Sequence, residues 1–235
     1  MIKIVSSTDK FMIHTYSKRL WYVEEFLIPS MEAQGINGDD ILIMLDDGTF
    51  GCLDSFFTSL KESKGDADKA TWHLQDDIII CRDFKVRTVD TDYPLGIVNG
   101  YCWTKDFQRY SIGKVPAFQM WYSFPCIRIP NQIGASAAEW FYTKAVNDPR
   151  YSKIIESRKQ DDYIFREFIM EKDYSGINLS PNLVDHIDYL IGGSIVNKER
   201  TAKEGVQSMA LYFEDKDLID ELEKKLRMRK VNQNG

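Results

Sequence analysis

An α/β fold, with a mixed and mainly parallel sheet flanked by helices, is what this sequence predicts. Within the first eighty residues, β-type apolar runs alternate with amphipathic stretches as strand, helix, strand, helix, strand. That alternation builds parallel sheets with helices on their faces. The apolar runs also open into polar turns, Ser6-Ser7-Thr8-Asp9 and Asp46-Asp47-Gly48, and in such sheets ligands gather at the carboxyl ends of strands. Finally, 235 residues at 43% hydrophobic and 13% aromatic supply a substantial core. With no internal repeat, low-complexity block or linker, the expectation is a single domain over residues 1–235.

Ile2–Val5 reads as the first buried strand. A helix is expected from about Ser17 to Gln34, because Leu20, Val23, Leu27 and Met31 recur at spacings of three and four. Pro29 should kink it and Gly35 should end it. Asp40–Leu45 is the second strand. Leu53–Ser63 is the second helix, amphipathic through Phe56, Phe57 and Leu60, and Lys64–Lys69 is a polar connection. The third strand covers Leu74–Cys81 and carries Asp76 and Asp77 at its entrance.

Further on, Leu95–Trp103 reads as a strand and Gln119–Pro130 as extended chain. Ser136 and Glu139 match a capping box, predicting a helix from Ser136 to about Asn147 that Asp148-Pro149 closes. Asp161-Asp162 opens another helix, buried through Ile164, Phe165, Phe168 and Ile169. The last helix, about 215–230, uses Leu218, Leu222 and Leu226, with acids leading and bases trailing as the helix dipole favours.

Composition narrows the function classes. Net charge is −6 and the pI is 5.2, which argues against a general duplex-binding surface, since such affinity comes from Lys and Arg neutralising phosphates. Arg158-Lys159 and Lys224–Lys230 are the notable basic clusters, the latter read as a helix end. Cys52, Cys81, Cys102 and Cys126 are widely spaced with no C-x-x-C pair, so metal clusters and dithiol chemistry find no support. No apolar run approaches the ~20 residues needed to cross a bilayer. The N-terminal MIKIVSST, with one basic residue and a strand pattern, does not read as a signal peptide. A cytoplasmic protein is expected.

Several constellations could carry chemistry. Asp76 and Asp77 beside the apolar run Ile78–Cys81 are costly to desolvate without compensation. A hard divalent cation would supply it through oxygen ligands; a solvated strand entrance is the plainer reading. His186, in Asn182-Leu183-Val184-Asp185-His186, could ligate a metal when neutral or offset phosphate when charged. A structural histidine is its plain alternative. Gly192-Gly193-Ser194 could present amides to a phosphate or simply turn the chain. Asp161 and Asp162 suit a helix start on electrostatic grounds alone. Trp121, Tyr122 and Phe124, with Trp103 and Tyr101, could stack on a sugar or base, though core packing is the default.

The stretch Thr71–Phe84, TWHLQDDIIICRDF, resembles the acid motif of nucleotide-sugar glycosyltransferases with the GT-A (Rossmann-like) fold, which reads D-x-D, E-x-D or Q-D-D before an apolar run. The late histidine in its N-L-V-D-H setting is similar to theirs too. The resemblance spans most of Met1–Asn197 and rests on the order of the pieces. It implies that Asp77 and His186 hold Mn²⁺ or Mg²⁺ against the two phosphates of a nucleoside-diphosphate sugar. By the same likeness Asp76 meets the ribose or donor sugar, and Ser6, Ser7, Thr8 and Arg19 bind the nucleotide. Gln75 stands where the family often has an acid. Asp162, in preference to Asp161, would deprotonate the acceptor hydroxyl, which implies an inverting hexosyl- or pentosyltransferase. The acceptor could be a glycan, a protein, a small molecule or a hydroxylated base in phage DNA, and a phage enzyme would work in the host cytoplasm. A metal-dependent nucleotidyltransferase, a nuclease (disfavoured by the acidic charge and the lack of a lysine motif) and a non-catalytic carbohydrate or nucleic-acid binding module are the rival readings.

Overall fold

A computed structural model describes residues 9–63, 68–89, 96–101, 115–116, 124–158, 160–179, 181–191 and 213–233. Its strands are β1 (Lys10–Tyr16), β2 (Ile41–Asp46), β3 (Ala70–Gln75), β4 (Ile78–Ile80), β5 (Ile97–Asn99), β6 (Val115–Pro116), β7 (Cys126–Pro130), β8 (Ser175–Asn178) and β9 (Val184–His186). Seven of them form one sheet in the order β2-β1-β3-β7-β5-β8-β6, and β4 pairs with β9 in a separate ribbon. The β1/β2, β1/β3 and β5/β8 pairs are parallel, whereas β7 and β6 run antiparallel to their neighbours. Five strands therefore point one way and two the other, a mixed and mainly parallel sheet.

Alternation along the strands divides the core between two faces. Phe11 and Ile13 of β1, with Trp72 and Leu74 of β3, pack against the 17–33 helical segment, Phe84 and the C-terminal helix Lys216–Gln233. On the opposite face, Ile127 and Ile129 of β7 meet the helices Gly51–Glu62, Asn131–Thr143 and Asp161–Glu171. The rings of Phe57 and Phe141 stack there at 4.1 Å.

Several boundaries differ from the expectation. Ile2–Val5 lies outside the described residues, and the first described strand is β1, in a stretch to which the sequence pattern assigns no element. The expected Ser17–Gln34 helix exists as a run of helical turns ending at Ala33. Val23–Leu27 is a π turn, closed by the Ile28 amide donating to the Val23 carbonyl. Pro29 has no N–H to give the carbonyl four residues back, and the widened turn lies directly ahead of it. Gly35, at φ +82°, follows the helix in the left-handed conformation.

The expected third strand is two strands. β3 ends at Gln75, the chain bends through Asp76 and Asp77, and β4 leaves the sheet to pair with β9, Ile78 opposite His186. The acids thus mark the carboxyl end of β3. The capping box is also corrected. The helix begins at Asn131, and the Ser136 hydroxyl lies mid-helix, donating to the Gln132 carbonyl. Pro130 fixes that earlier start, since proline sets φ at the helix entrance and needs no amide partner.

Candidate active site

The carboxyl ends of β1, β2 and β3 lie side by side, with Tyr16 opposite Asp46 and His14 opposite Gln75. A cleft of about 540 Å³ opens over them. Its lining includes Thr15, Tyr16, Arg19, Gln75, Asp76, Asp77, His186 and Asp188, together with His14, Cys52, Phe56, His73, Arg158 and Asp161.

Asp76 and Asp77 are buried, at 5% and 7% exposure, and so is Arg19 at 4%. A single guanidinium nitrogen, Arg19 Nη1, donates to Asp76 Oδ1 at 2.9 Å and to Asp77 Oδ2 at 2.6 Å. Asp76 Oδ2 accepts from the Thr15 hydroxyl and the Tyr16 amide, both at 3.0 Å. Both oxygens of Asp76 are therefore engaged in fixing Arg19 and the end of β1. Burial and the adjacent Asp77 raise the Asp76 carboxyl above its ordinary value despite Arg19. Burial acts in the same sense on Asp77, but His186 and Arg19 outweigh it and hold that carboxyl low.

Asp77 keeps one oxygen in reserve. Its Oδ1 is buried with no hydrogen-bond partner among the described residues and lies 3.4 Å from His186 Nε2. Gln75 Oε1 is 3.3 Å from the same nitrogen. The β4–β9 ladder brings His186 there, 109 positions downstream of Asp77, and the Ile187 amide donating to the Asp77 carbonyl at 2.8 Å fixes the register. Among the described residues no three His, Cys, Asp or Glu side chains cluster as a metal site. With Gln75 counted, however, amide oxygen, carboxylate oxygen and imidazole nitrogen converge. Donors each about 2.0–2.2 Å from one cation lie roughly 3 Å apart in cis, close to these separations. An unsatisfied buried carboxylate oxygen beside an imidazole and an amide fits a divalent ion.

The candidate base is Asp161. It opens the Asp161–Glu171 helix, lines the cleft, and has its carboxyl pushed up to about 7 by burial and then by Asp162. Asp162 does not line the cleft; its Oδ1 accepts from the Tyr163 amide at 2.8 Å. Of the two acids, the structure brings Asp161 and not the favoured Asp162 to the cleft. Its approach depends on Gly51, at φ +78°, where a Cβ would lie 2.9 Å from Arg158 Cβ and 3.0 Å from its carbonyl oxygen. Arg158 and Gln160 are themselves left-handed, and the Leu53 amide donates to the Arg158 carbonyl at 3.3 Å.

His14 and His73 both line the cleft, His14 Nε2 lying 3.0 Å from His73 Nδ1. Burial lowers His14 to about 4, and burial with His14 lowers His73 well below the ordinary range, so both are neutral at pH 7. Neither stands in the N-L-V-D-H setting that singles out His186 in the sequence. No sequence signal marks Thr15 or Tyr16 as site residues, Cys52 reads there as an isolated thiol and Arg158 as part of a basic cluster, and only the F-M-I-H run hints at β1. Ser6, Ser7, Thr8, Trp103, Trp121, Tyr122 and Gly192-Gly193-Ser194 lie outside the described residues. Phe124 lines the cleft, and Tyr101 is buried with its ring 6.3 Å from that of His186.

No family model and no curated protein matches the sequence. Among solved structures the chain is similar to the glycosyltransferase GlyE of Streptococcus pneumoniae TIGR4, at 11% identity and a TM-score of 0.40. That match covers 73% of this chain and 45% of GlyE, so the chain spans less than half of that protein. Two structures of LgtC also match. An active-site mutant matches at 13% identity and a TM-score of 0.39, over 72% of this chain and 71% of its own. The galactosyltransferase LgtC with donor and acceptor sugar analogs matches at 13% identity and 0.35, over 75% and 86%. Overlap this loose establishes neither family nor chemistry. No described helix is long and apolar enough to cross a membrane.

Proposed function

We propose that this chain is a GT-A-type, metal-dependent glycosyltransferase that moves a hexosyl or pentosyl group from a nucleoside-diphosphate sugar to an acceptor hydroxyl, with inversion. The observation that carries the reading is the convergence of Gln75, Asp77 and His186 beside a buried Arg19 at the carboxyl edge of the sheet. Gln75, Asp77 and His186 would hold Mn²⁺ or Mg²⁺. Bound there, the ion supplies Lewis-acid neutralisation of the departing diphosphate.

The remaining work falls to the chain. Arg19 adds a fixed cation near the phosphates, and Asp76 holds it in place. Asp161, with a carboxyl near neutrality, accepts the proton of the acceptor hydroxyl, as a base poised close to working pH does best. Attack from the face opposite the diphosphate then inverts the anomeric centre. A glycan and a hydroxylated base of phage DNA are the acceptor classes to assay first.

Calorimetric titration of UDP, GDP, CDP and TDP, with and without Mn²⁺, tests the reading on wild type and Asp77→Asn. One nucleotide should bind in a metal-dependent way, at least about tenfold more weakly in the variant. Absence of binding to all four by folded protein would sink the proposal in favour of a binding module. Metal-dependent pyrophosphate release from a nucleoside triphosphate would instead indicate a nucleotidyltransferase.

A further inference from the structure

We infer that the cleft takes its divalent ion as a complex with a diphosphate, and not as a resident ion, because Arg19 occupies the acid pair. The inference rests on the glycosyltransferase reading above and deepens it. Within the donor set of Gln75, Asp77 and His186, Asp77 is the single carboxylate. One of its oxygens already accepts from Arg19 Nη1 at 2.6 Å, and the other faces His186 Nε2 at 3.4 Å. Asp76 brings no further anionic donor. Its Oδ1 accepts from the same Nη1 at 2.9 Å, and its Oδ2 is taken by Thr15 and Tyr16.

Oxygen sites gain affinity for hard dications with the number of carboxylates they commit. Here one carboxylate is committed, and it is shared with a guanidinium held a hydrogen bond away in a poorly solvated setting. Two cations that close repel strongly when water does not screen them. A free ion is therefore held weakly. A diphosphate reverses the balance, since its oxygens ligate the ion while its remaining charge makes Arg19 an attractive partner. Arg19 thus penalises the ion alone and favours the ion with the nucleotide, and the coupling is reciprocal. It acts on the ion as a positioned charge and is not a ligand.

Free Mn²⁺, read by its paramagnetic resonance, is titrated with wild type and with Arg19→Gln, alone and with UDP, GDP, CDP or TDP. Circular dichroism and thermal melts check each protein for folding. Wild type should take Mn²⁺ weakly alone and much more tightly with one nucleotide. Arg19→Gln should tighten Mn²⁺ alone at least tenfold, and narrow the gap between the two conditions at least tenfold. The double variant Arg19→Met with Asp76→Asn removes one charge of each sign, so it avoids an unbalanced buried acid and should also tighten Mn²⁺ alone. Folded variants that bind Mn²⁺ no tighter than wild type would overturn the inference, as would equal wild-type affinity with and without nucleotide. Failure of the underlying reading looks different, because then no nucleotide binds at any Mn²⁺ concentration.

Discussion

At the scale of single residues, environment separates acids that look alike in the sequence. Asp76 and Asp77 are adjacent, yet one is saturated by Arg19, Thr15 and Tyr16 while the other keeps an oxygen in reserve beside His186. Asp161 and Asp162 are adjacent too, and helical geometry turns only the first toward the cleft. Asp161→Asn should lower kcat by about 10²–10⁴, the usual worth of a positioned base, while Asp162→Asn should cost less than about threefold. The pH profile carries the sign. In the proposed role of base Asp161 must be ionised, so wild-type kcat/KM should rise with pH through about 7. Loss of that limb in Asp161→Asn, measured by donor turnover from pH 5.5 to 8.5, checks the assignment. An unchanged limb would assign it to another group.

At the scale of elements, the cleft is built where three strand ends meet two helix starts. Gly51 begins the Gly51–Glu62 helix against the backbone of Arg158, and the left-handed Arg158 and Gln160 lead directly into Asp161. A side chain at 51 meets both a positive φ and the Arg158 carbonyl. Gly51→Ala should therefore cost about 1–3 kcal/mol of stability and displace the Asp161 turn. Urea unfolding checks the first part. For the second, kcat should fall while Mn²⁺ affinity stays at its wild-type value, because Gln75, Asp77 and His186 sit on β3, β9 and the bend between β3 and β4. Equal loss of both would mean general unfolding instead.

At the scale of the whole molecule, the C-terminal helix is fastened to the first face of the sheet by two kinds of contact. Leu222 and Leu226 are buried with Phe84 and Leu27. Arg82 pairs with Asp215 and Asp217, and the Arg229 guanidinium lies 4.0 Å from the centre of the Trp21 ring while bonding Glu25. The Arg82 pairs are solvent-facing, where such bridges contribute about 0–1 kcal/mol. Leu222→Ala should cost about 2–4 kcal/mol through the cavity it leaves, and Arg82→Ala less than about 1 kcal/mol. Denaturant midpoints at constant slope check the ranking, and a reversal would make the charged cluster the true fastening.

Alternating apolar runs and helical spacing in the sequence determined the α/β class, the second strand, the Phe56-Phe57-Leu60 helix face and the buried stripe of the helix at Asp161. The helix faces follow from local periodicity, which burial on one face imposes directly on residue order, whereas β2 shows as a continuous apolar run although Leu42, Ile43 and Leu45 are exposed. The motif at Asp76-Asp77 and the neighbours of His186 likewise singled out two residues that meet at 3.4 Å. Tertiary structure alone decided the rest. The break between β3 and β4 depends on β9 pairing with residues more than 100 positions earlier. The bridge from Arg19 to both acids depends on β1 lying parallel to β3, and the presence of Asp161 rather than Asp162 in the cleft lining on which way one helix start faces. Each is a long-range contact, and a side chain's partner across a fold leaves no local period in the chain.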